Sequence, residues 1–291
     1  MPCWTPLKAY RGEGGRIVFD SKKGWSDRPL ELPCGQCSGC RVAKSEEWAL
    51  RCVHEASMFE ANCFVTLTYS DEFLPEGGSL RLGDWQKFAK RVRKNIGPFR
   101  FLHCGEYGEE NLRPHYHACM FGLDFCEDRE VYKYGKPGET LFTSDLLTRT
   151  WGLGHVTLGS LTFKSAAYVA RYCLKKATGD LAEVKYERVD PETGETFLVR
   201  PEYATMSRRP GIGSSWFDVF YRDVFPADEV VHQGRRFRPP KFYDSRLSQE
   251  AREVLKRKRI ASVKSDDVTP ERLKVREKVA AARMAYLRRE I

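Results

Sequence analysis

Between residues 61 and 178 the chain switches repeatedly between the two-residue period of a strand and the 3.6-residue period of a helix. Phe64-Val65-Thr66-Leu67-Thr68-Tyr69 alternates and is rich in β-branched and aromatic side chains, which predicts a strand. Asp84 stands where a helix cap belongs, ahead of Trp85, Phe88, Ala89 and Val92 at helical spacing, with Pro98 beyond the end. Residues 99–104 and 115–121 read as two further strands. A short helix is expected from about 144 to 151, then a strand at His155-Val156-Thr157-Leu158, then a helix capped by Ser165 and running to Lys176. The order β-α-β-β-α-β-α, with two successive strands joined by a polar loop, predicts an α+β fold: a largely antiparallel sheet with helices on one face.

The flanks are patterned differently. Residues 1–60 form a Cys-rich segment followed by a helical pattern over 43–59. Residues 179–245 are mixed and are expected to pack on the core as an accessory segment; Asp190-Pro191-Glu192-Thr193-Gly194 reads as a turn. Residues 246–291 are expected to be a basic helical tail, since Lys and Arg outnumber Asp and Glu two to one there. Over the whole chain, 49 Lys+Arg against 40 Asp+Glu leave a charge of +9, which suits a polyanionic partner, nucleic acid first. No run approaches the ~18–20 apolar residues that span a bilayer. The start, Met1-Pro2-Cys3-Trp4, lacks a signal-peptide pattern, so the 10 cysteines are read in a reducing compartment, as metal ligands or buried thiols.

The most informative short stretch is Arg113-Pro114-His115-Tyr116-His117. On a strand, residues i and i+2 share a face, so His115 and His117 project side by side and can share a divalent cation. An oxygen-loving metal wants a carboxylate as well. Glu106 ends the preceding strand, and an antiparallel return through 108–114 brings it to the histidine face. Glu109, Glu110 and His103 are the other candidates nearby.

Tyr168 and Tyr172 lie four apart in a helical stretch and therefore on one face, with Arg171, Lys175 and Lys176 as neighbouring cations where a phosphate would dock. A phenol, with a pKa of about 10, attacks a phosphodiester at neutral pH only where a metal polarises the phosphate and cations favour the phenolate. Cys34, Cys37 and Cys40 form a C-x-x-C-x-x-C run with glycines between, a spacing that can wrap a zinc ion or part of an iron–sulfur cluster, with a structural zinc favoured because nothing else points to electron transfer; Cys3, Cys52 and His54 are the candidates for a fourth ligand. Lys87, Lys90, Arg91, Arg93 and Lys94 make one basic helix, and Lys256-Arg257-Lys258-Arg259 a second cationic face. Arg208 and Arg209 precede Pro210-Gly211, where they are placed to clamp a phosphate backbone.

Three of these stretches in order, Phe64 to Tyr69, Gly105-Glu106-Tyr107-Gly108 with Arg113 to His117, and Tyr168-Val169-Ala170-Arg171-Tyr172-Cys173-Leu174-Lys175-Lys176, resemble the motifs of HUH-superfamily rolling-circle replication initiators. The initiators of microviruses of the gokushovirus type are the group most similar, through the Cys-rich start and residues 206–213 as well. The likeness covers roughly residues 1–215. It implies a five-stranded antiparallel sheet with flanking helices, and Mg²⁺ or Mn²⁺ on His115, His117 and Glu106. It also implies attack by Tyr168 or Tyr172 that leaves a 5′-phosphotyrosine and a 3′-OH. Lys175 or Lys176 would assist, although Arg171 occupies the position between the tyrosines. The implied partners are single-stranded genome and replicative-form origin DNA, with host helicase and polymerase, in the host bacterial cytoplasm. The competing readings are a non-catalytic, zinc-stabilised nucleic-acid-binding protein and a nuclease that uses water in place of tyrosine.

Overall fold

A computed structural model describes residues 3–108, 111–135, 140–172, 184–190, 193–262 and 268–289, with side chains for all of these except Tyr172, Met284 and 286–289. The chain divides into two units, one of Met1–Lys44 with Ser245–Ile291 and one of Ser45–Asp244. The first contains a small sheet of β1 (Leu7–Arg11), β2 (Ile17–Val18) and β3 (Trp25–Leu32), in the order β2-β1-β3. Helix α1 (Ser38–Ala56) starts there and continues into the second unit.

The second unit runs through β4 (Asn62–Tyr69), α2 (Leu82–Asn95), β5 (Arg100–Tyr107), β6 (Pro114–Phe121), β7 (Arg129–Lys133) and β8 (Leu141–Ser144). It continues with α3 (Asp145–Trp151), β9 (Gly154–Gly159), α4 (Phe163–Tyr172), β10 (Glu187–Val189), β11 (Thr196–Leu198) and β12 (Tyr203–Met206). It ends with α5 (Ser214–Val224), β13 (Val230–His232), β14 (Arg235–Phe237) and α6 (Lys241–Asp244). Helices α7 (Gln249–Ala261) and α8 (Pro270–Arg289) follow in the first unit, where the charge pattern places helical structure.

The central sheet has seven strands in the order β12-β5-β6-β4-β9-β8-β7, and every neighbouring pair is antiparallel. The expected five strands are therefore two too few. The hairpin β7–β8 extends the sheet, and it escapes the hydrophobic pattern because every residue of β7 is exposed. Two short hairpins, β10–β11 and β13–β14, stand outside this sheet; in the former the Asp190 amide donates to the Glu195 carbonyl and the Gly194 amide to the Asp190 carbonyl, both at 2.9 Å, while Pro191 and Glu192 of the expected turn lie outside the described residues.

Helices cover both faces of the sheet, not one. On one face Val65, Leu67 and Tyr69 of β4 pack with Trp85, Phe88 and Val92 of α2 and Leu147 and Trp151 of α3. On the other, Leu102 and Cys104 of β5 and Cys119 and Phe121 of β6 pack with Ala49 and Cys52 of α1 and Ala166 and Val169 of α4. Two-sided burial explains why Ala118-Cys119-Met120-Phe121 reads as an unbroken apolar run: both residue parities meet a helix. Two caps also differ from expectation. Asp84 lies inside the first turn of α2 and accepts from the Tyr69 hydroxyl at 2.7 Å. Helix α4 opens with a reciprocal pair, the Thr162 amide donating to Ser165 Oγ at 2.8 Å and the Ser165 amide to Thr162 Oγ1 at 3.2 Å.

His54 illustrates a buried imidazole kept neutral. Its ring stacks on Trp216 at 3.5 Å, its Nδ1 lies 2.8 Å from the Tyr243 hydroxyl, and burial, helped by His232, lowers its pKa to about 3. Between that value and the unfolded value near 6.5 the unfolded chain binds the extra proton. Stability is therefore present above pH 6.5 and declines by about 1.4 kcal/mol per pH unit as the pH falls below it. Urea unfolding at pH 7.5 and pH 5 measures the decline. His54→Phe, which keeps the stack but drops the hydrogen bond, is expected to start lower at pH 7.5 and lose less between the two pH values.

Candidate active site

Register alone assembles the first part of the site. In the β5–β6 ladder Glu106 pairs with His115 and Cys104 with His117, so Glu106 and both histidines share the sheet face that carries α4. On β6's other side, β4 places Thr66 opposite His117 and Thr68 opposite His115. His103 has the other parity: it stacks on Trp85 at 3.8 Å in the opposite layer, which removes it from the candidate ligands. Glu109 and Glu110 lie outside the described residues.

Helix α4 packs on β5 and β6 through Ala166 and Val169. Tyr168 then reaches inward. Its hydroxyl donates to Glu106 Oε1 at 3.1 Å, and its ring meets His117 edge-on at 5.1 Å. The same Glu106 oxygen lies 2.8 Å from His117 Nε2. Thr66 Oγ1 lies 2.9 Å from His117 Nδ1, and Phe64 stacks on the imidazole at 5.7 Å. His115 Nδ1 is fixed by the Arg113 carbonyl at 2.7 Å, which leaves Nε2 as the lone-pair nitrogen. Burial lowers the His115 pKa, partly countered by that carbonyl, so the ring is neutral at physiological pH, as a metal ligand must be.

Two observations bear on a cation. Glu106 is 4% exposed, yet its Oε2 has no hydrogen-bond partner among the described residues. An orphaned carboxylate oxygen beside two imidazoles offers one oxygen and two nitrogens to a divalent cation. The imidazole rings are near-parallel with centroids 6.5 Å apart. The three residues therefore do not close into a cage; among the described residues only the cysteines form a group whose ligand atoms all lie within 4.8 Å. Thr66 was not expected from sequence. Its signal is its parity, shared with Phe64 and Thr68, but only the β4–β6 register shows that this parity faces His117.

The cationic candidates separate. Arg171 is exposed, with its guanidinium 5.9 Å from the Tyr168 ring centre. Tyr172 is the last residue of α4, and Lys175 and Lys176 lie outside the described residues. Lys164, one turn before Tyr168, is exposed on the same helix face. Arg208 and Arg209 are exposed in the turn between β12 and α5. The basic helix α2 lies in the layer opposite the Glu106–His117 face. There Arg91 donates to the Thr150 and Trp151 carbonyls at 2.7 and 2.8 Å, stabilising the C-terminus of α3, and Arg93 covers Phe99.

In the other unit, Cys3, Cys34, Cys37 and Cys40 bring their sulfurs within 4.8 Å of one another, a group that can hold a metal such as zinc. Cys3 supplies the fourth sulfur. Cys52 is buried in the second unit's core, and His54 is engaged by Trp216 and Tyr243. Burial raises the Cys34 thiol, but bonds from the Thr5 hydroxyl and the Cys37 and Gln36 amides outweigh it and bring the pKa to about 6. Burial and the neighbouring sulfurs push Cys40 up to about 12.

Residues 62–177, which contain the strands and helix of this site, match the family described as replication-associated protein ORF2/G2P. The chain is 30% identical over 286 positions to replication-associated protein VP4 of Bdellovibrio phage phiMH2K, covering 91% of this chain and 86% of the relative. It is 35% identical over 278 positions to replication-associated protein ORF2 of Spiroplasma virus 4, covering 86% and 81%. Replication-associated protein ORF4 of Chlamydia phage 1 is 29% identical over 74% of this chain and 53% of its own length. No solved structure matches. The chain belongs to the family of microvirus replication-associated proteins, the replication initiators of single-stranded-DNA phages. No helix among the described residues is long and apolar enough to cross a membrane.

Proposed function

We propose that this initiator is a metal-dependent nickase and strand transferase, an HUH endonuclease with Tyr168 as its nucleophile. The observation that carries the reading is the shared carboxylate: Glu106 Oε1 holds both the Tyr168 hydroxyl and His117, while Oε2 has no partner among the described residues. Glu106, His115 and His117 would hold Mg²⁺ or Mn²⁺, which when bound polarises the scissile phosphate.

The remaining steps belong to the chain. Tyr168 loses its phenolic proton to solvent and its oxygen attacks phosphorus. The P–O3′ bond breaks, and the 3′ oxygen takes up a proton to become the primer terminus. The 5′ phosphate stays on the tyrosine, so the reverse attack by a 3′-OH rejoins a strand. Arg171, with Lys175 or Lys176, offsets charge on the phosphate. Tyr172 follows Tyr168 by one helical turn and is the second nucleophile for the regenerated origin. Arg208, Arg209 and the basic tail at 246–291 bind the DNA backbone without reading sequence. Residues 61–178 form the nicking core. Origin DNA is the substrate, host helicase and polymerase are the onward partners, and the host bacterial cytoplasm is the site of action.

The test is incubation with Mn²⁺ and phage origin DNA, followed by denaturing electrophoresis. A protein–DNA adduct with a polymerase-extendable 3′ end is expected. Cleavage without an adduct would mean a hydrolytic nuclease instead, and intact DNA would overturn the reading.

Thr66 offers a finer check. Were His117 to hold the cation through Nε2, its Nδ1–H would donate to Thr66 Oγ1, which lies 2.9 Å away. Loss of such an outer partner typically weakens metal binding about 10–100-fold. Thr66→Val, which keeps the shape, is expected to weaken Mn²⁺ binding by that factor in a calorimetric titration while leaving the melting temperature nearly unchanged.

A further inference from the structure

We propose that Cys3, Cys34, Cys37 and Cys40 bind one Zn²⁺ as a closed tetrathiolate site, and that this ion is the main tie between the β1–β3 sheet and the first turn of α1. The sheet needs such a tie. Among described residues 3–40 only Trp4, Ala9, Gly12 and Gly39 are buried, while Leu7, Ile17, Phe19 and Trp25 stand exposed. So little apolar burial does not order a small sheet by itself, and a structural metal is one of the few available substitutes.

Chain topology brings the sulfurs together. Leu7 at the start of β1 pairs with Leu32 at the end of β3, so the segment before β1 meets the segment after β3. The Cys34 amide donates to Cys3 Sγ at 3.2 Å. Gly35, with φ of +76°, then takes the left-handed conformation that turns the chain back toward α1. The Cys37 amide donates to Cys34 Sγ at 3.3 Å, the Trp4 amide to Cys37 Sγ at 3.4 Å, and the Cys40 amide to Cys37 Sγ at 3.5 Å. The Thr5 hydroxyl reaches Cys34 Sγ at 3.4 Å. Donors converging on three of the four sulfurs suit thiolates: a Zn²⁺ neutralises two of the four charges, and these dipoles offset part of the rest.

The spacing suits a single tetrahedral ion. Zinc–sulfur bonds of about 2.3 Å in a tetrahedron set the sulfurs about 3.8 Å apart. Cys3 and Cys37 sulfurs lie 3.9 Å apart, and all four within 4.8 Å, which leaves room for one ion and not for an iron–sulfur cluster. A disulfide would need about 2.05 Å. Four protein ligands leave no open position, so the ion is structural and does no chemistry on DNA.

The experiment is elemental analysis of the full chain, purified without added metal and dialysed. One zinc per chain is expected, retained in a His115→Ala/His117→Ala variant and lost in Cys34→Ser/Cys37→Ser. Cobalt substitution is expected to give the intense ligand-field and thiolate charge-transfer absorption of a tetrahedral tetrathiolate. Chelation should expose residues 1–44 to protease before residues 45–244. Wild-type protein with no zinc and these four thiols free, with a disulfide among these cysteines, or with iron in their place would overturn the proposal, and so would zinc that leaves with the histidines. None of these readouts depends on whether the protein nicks DNA.

Discussion

Replacing Tyr168 with phenylalanine is expected to lower covalent capture of origin DNA by about 10³-fold or more, since removing a nucleophile removes the step itself rather than tuning it. Fold and metal affinity should survive. The change deletes one hydroxyl whose partner, Glu106 Oε1, keeps its contact with His117, and the ring's edge contacts with His117 and Phe64 persist. The check is a time course of adduct formation, with melting temperature and Mn²⁺ titration run beside it. Tyr168→Phe protein that melts normally, binds Mn²⁺ and still forms adduct at the wild-type rate would take the role from this residue.

The second large effect is expected at His117. Its ring touches Glu106, Thr66, Phe64 and Tyr168, so on the proposed mechanism it would organise the site as well as supply a nitrogen to the cation. His117→Ala should lower nicking by about 10²–10³-fold at fixed Mn²⁺, through lost metal affinity and lost placement of the phosphate together. Excess Mn²⁺ should restore part of the rate. His115→Ala should show the larger recovery, because that ring is held by the Arg113 carbonyl and is not hydrogen-bonded into the Glu106–Tyr168 cluster. Binding to single-stranded DNA at low salt should stay within a few-fold in both variants, since phosphate contacts by Lys and Arg dominate it. Unchanged nicking in both would mean that the histidine pair merely fills its strand.

Much of this site is legible in the sequence because it depends on parity. Two histidines at i and i+2 share a face whatever the fold, and a short return loop pairs Glu106 with that face. What the sequence hides is what depends on partners far away. Parity assigns Thr66 to a face but not to His117. Cys3 joins the cysteine run only because β1 and β3 pair, and neither strand has an alternating pattern to announce it. Periodicity identifies α1 and α4 as helices, yet it is silent on which side of the sheet they cover, so the two-sided packing comes from the structure. The β7–β8 hairpin lacks buried residues in its outer strand and leaves no hydrophobic signature. Arg91 and Arg93 look like phosphate ligands in a basic run, but their partners are the end of α3 and Phe99.

The nicking reading rests on a phenol seated on a carboxylate whose second oxygen has no partner among the described residues. Mass spectrometry of the peptide–oligonucleotide adduct, formed with Mn²⁺ and a single-turnover origin substrate, addresses it directly. A 5′-phosphoryl linkage on Tyr168 is expected, with Tyr172 modified only when a second cleavage is allowed. A linkage confined to Tyr172, or to a tyrosine outside α4, would contradict it.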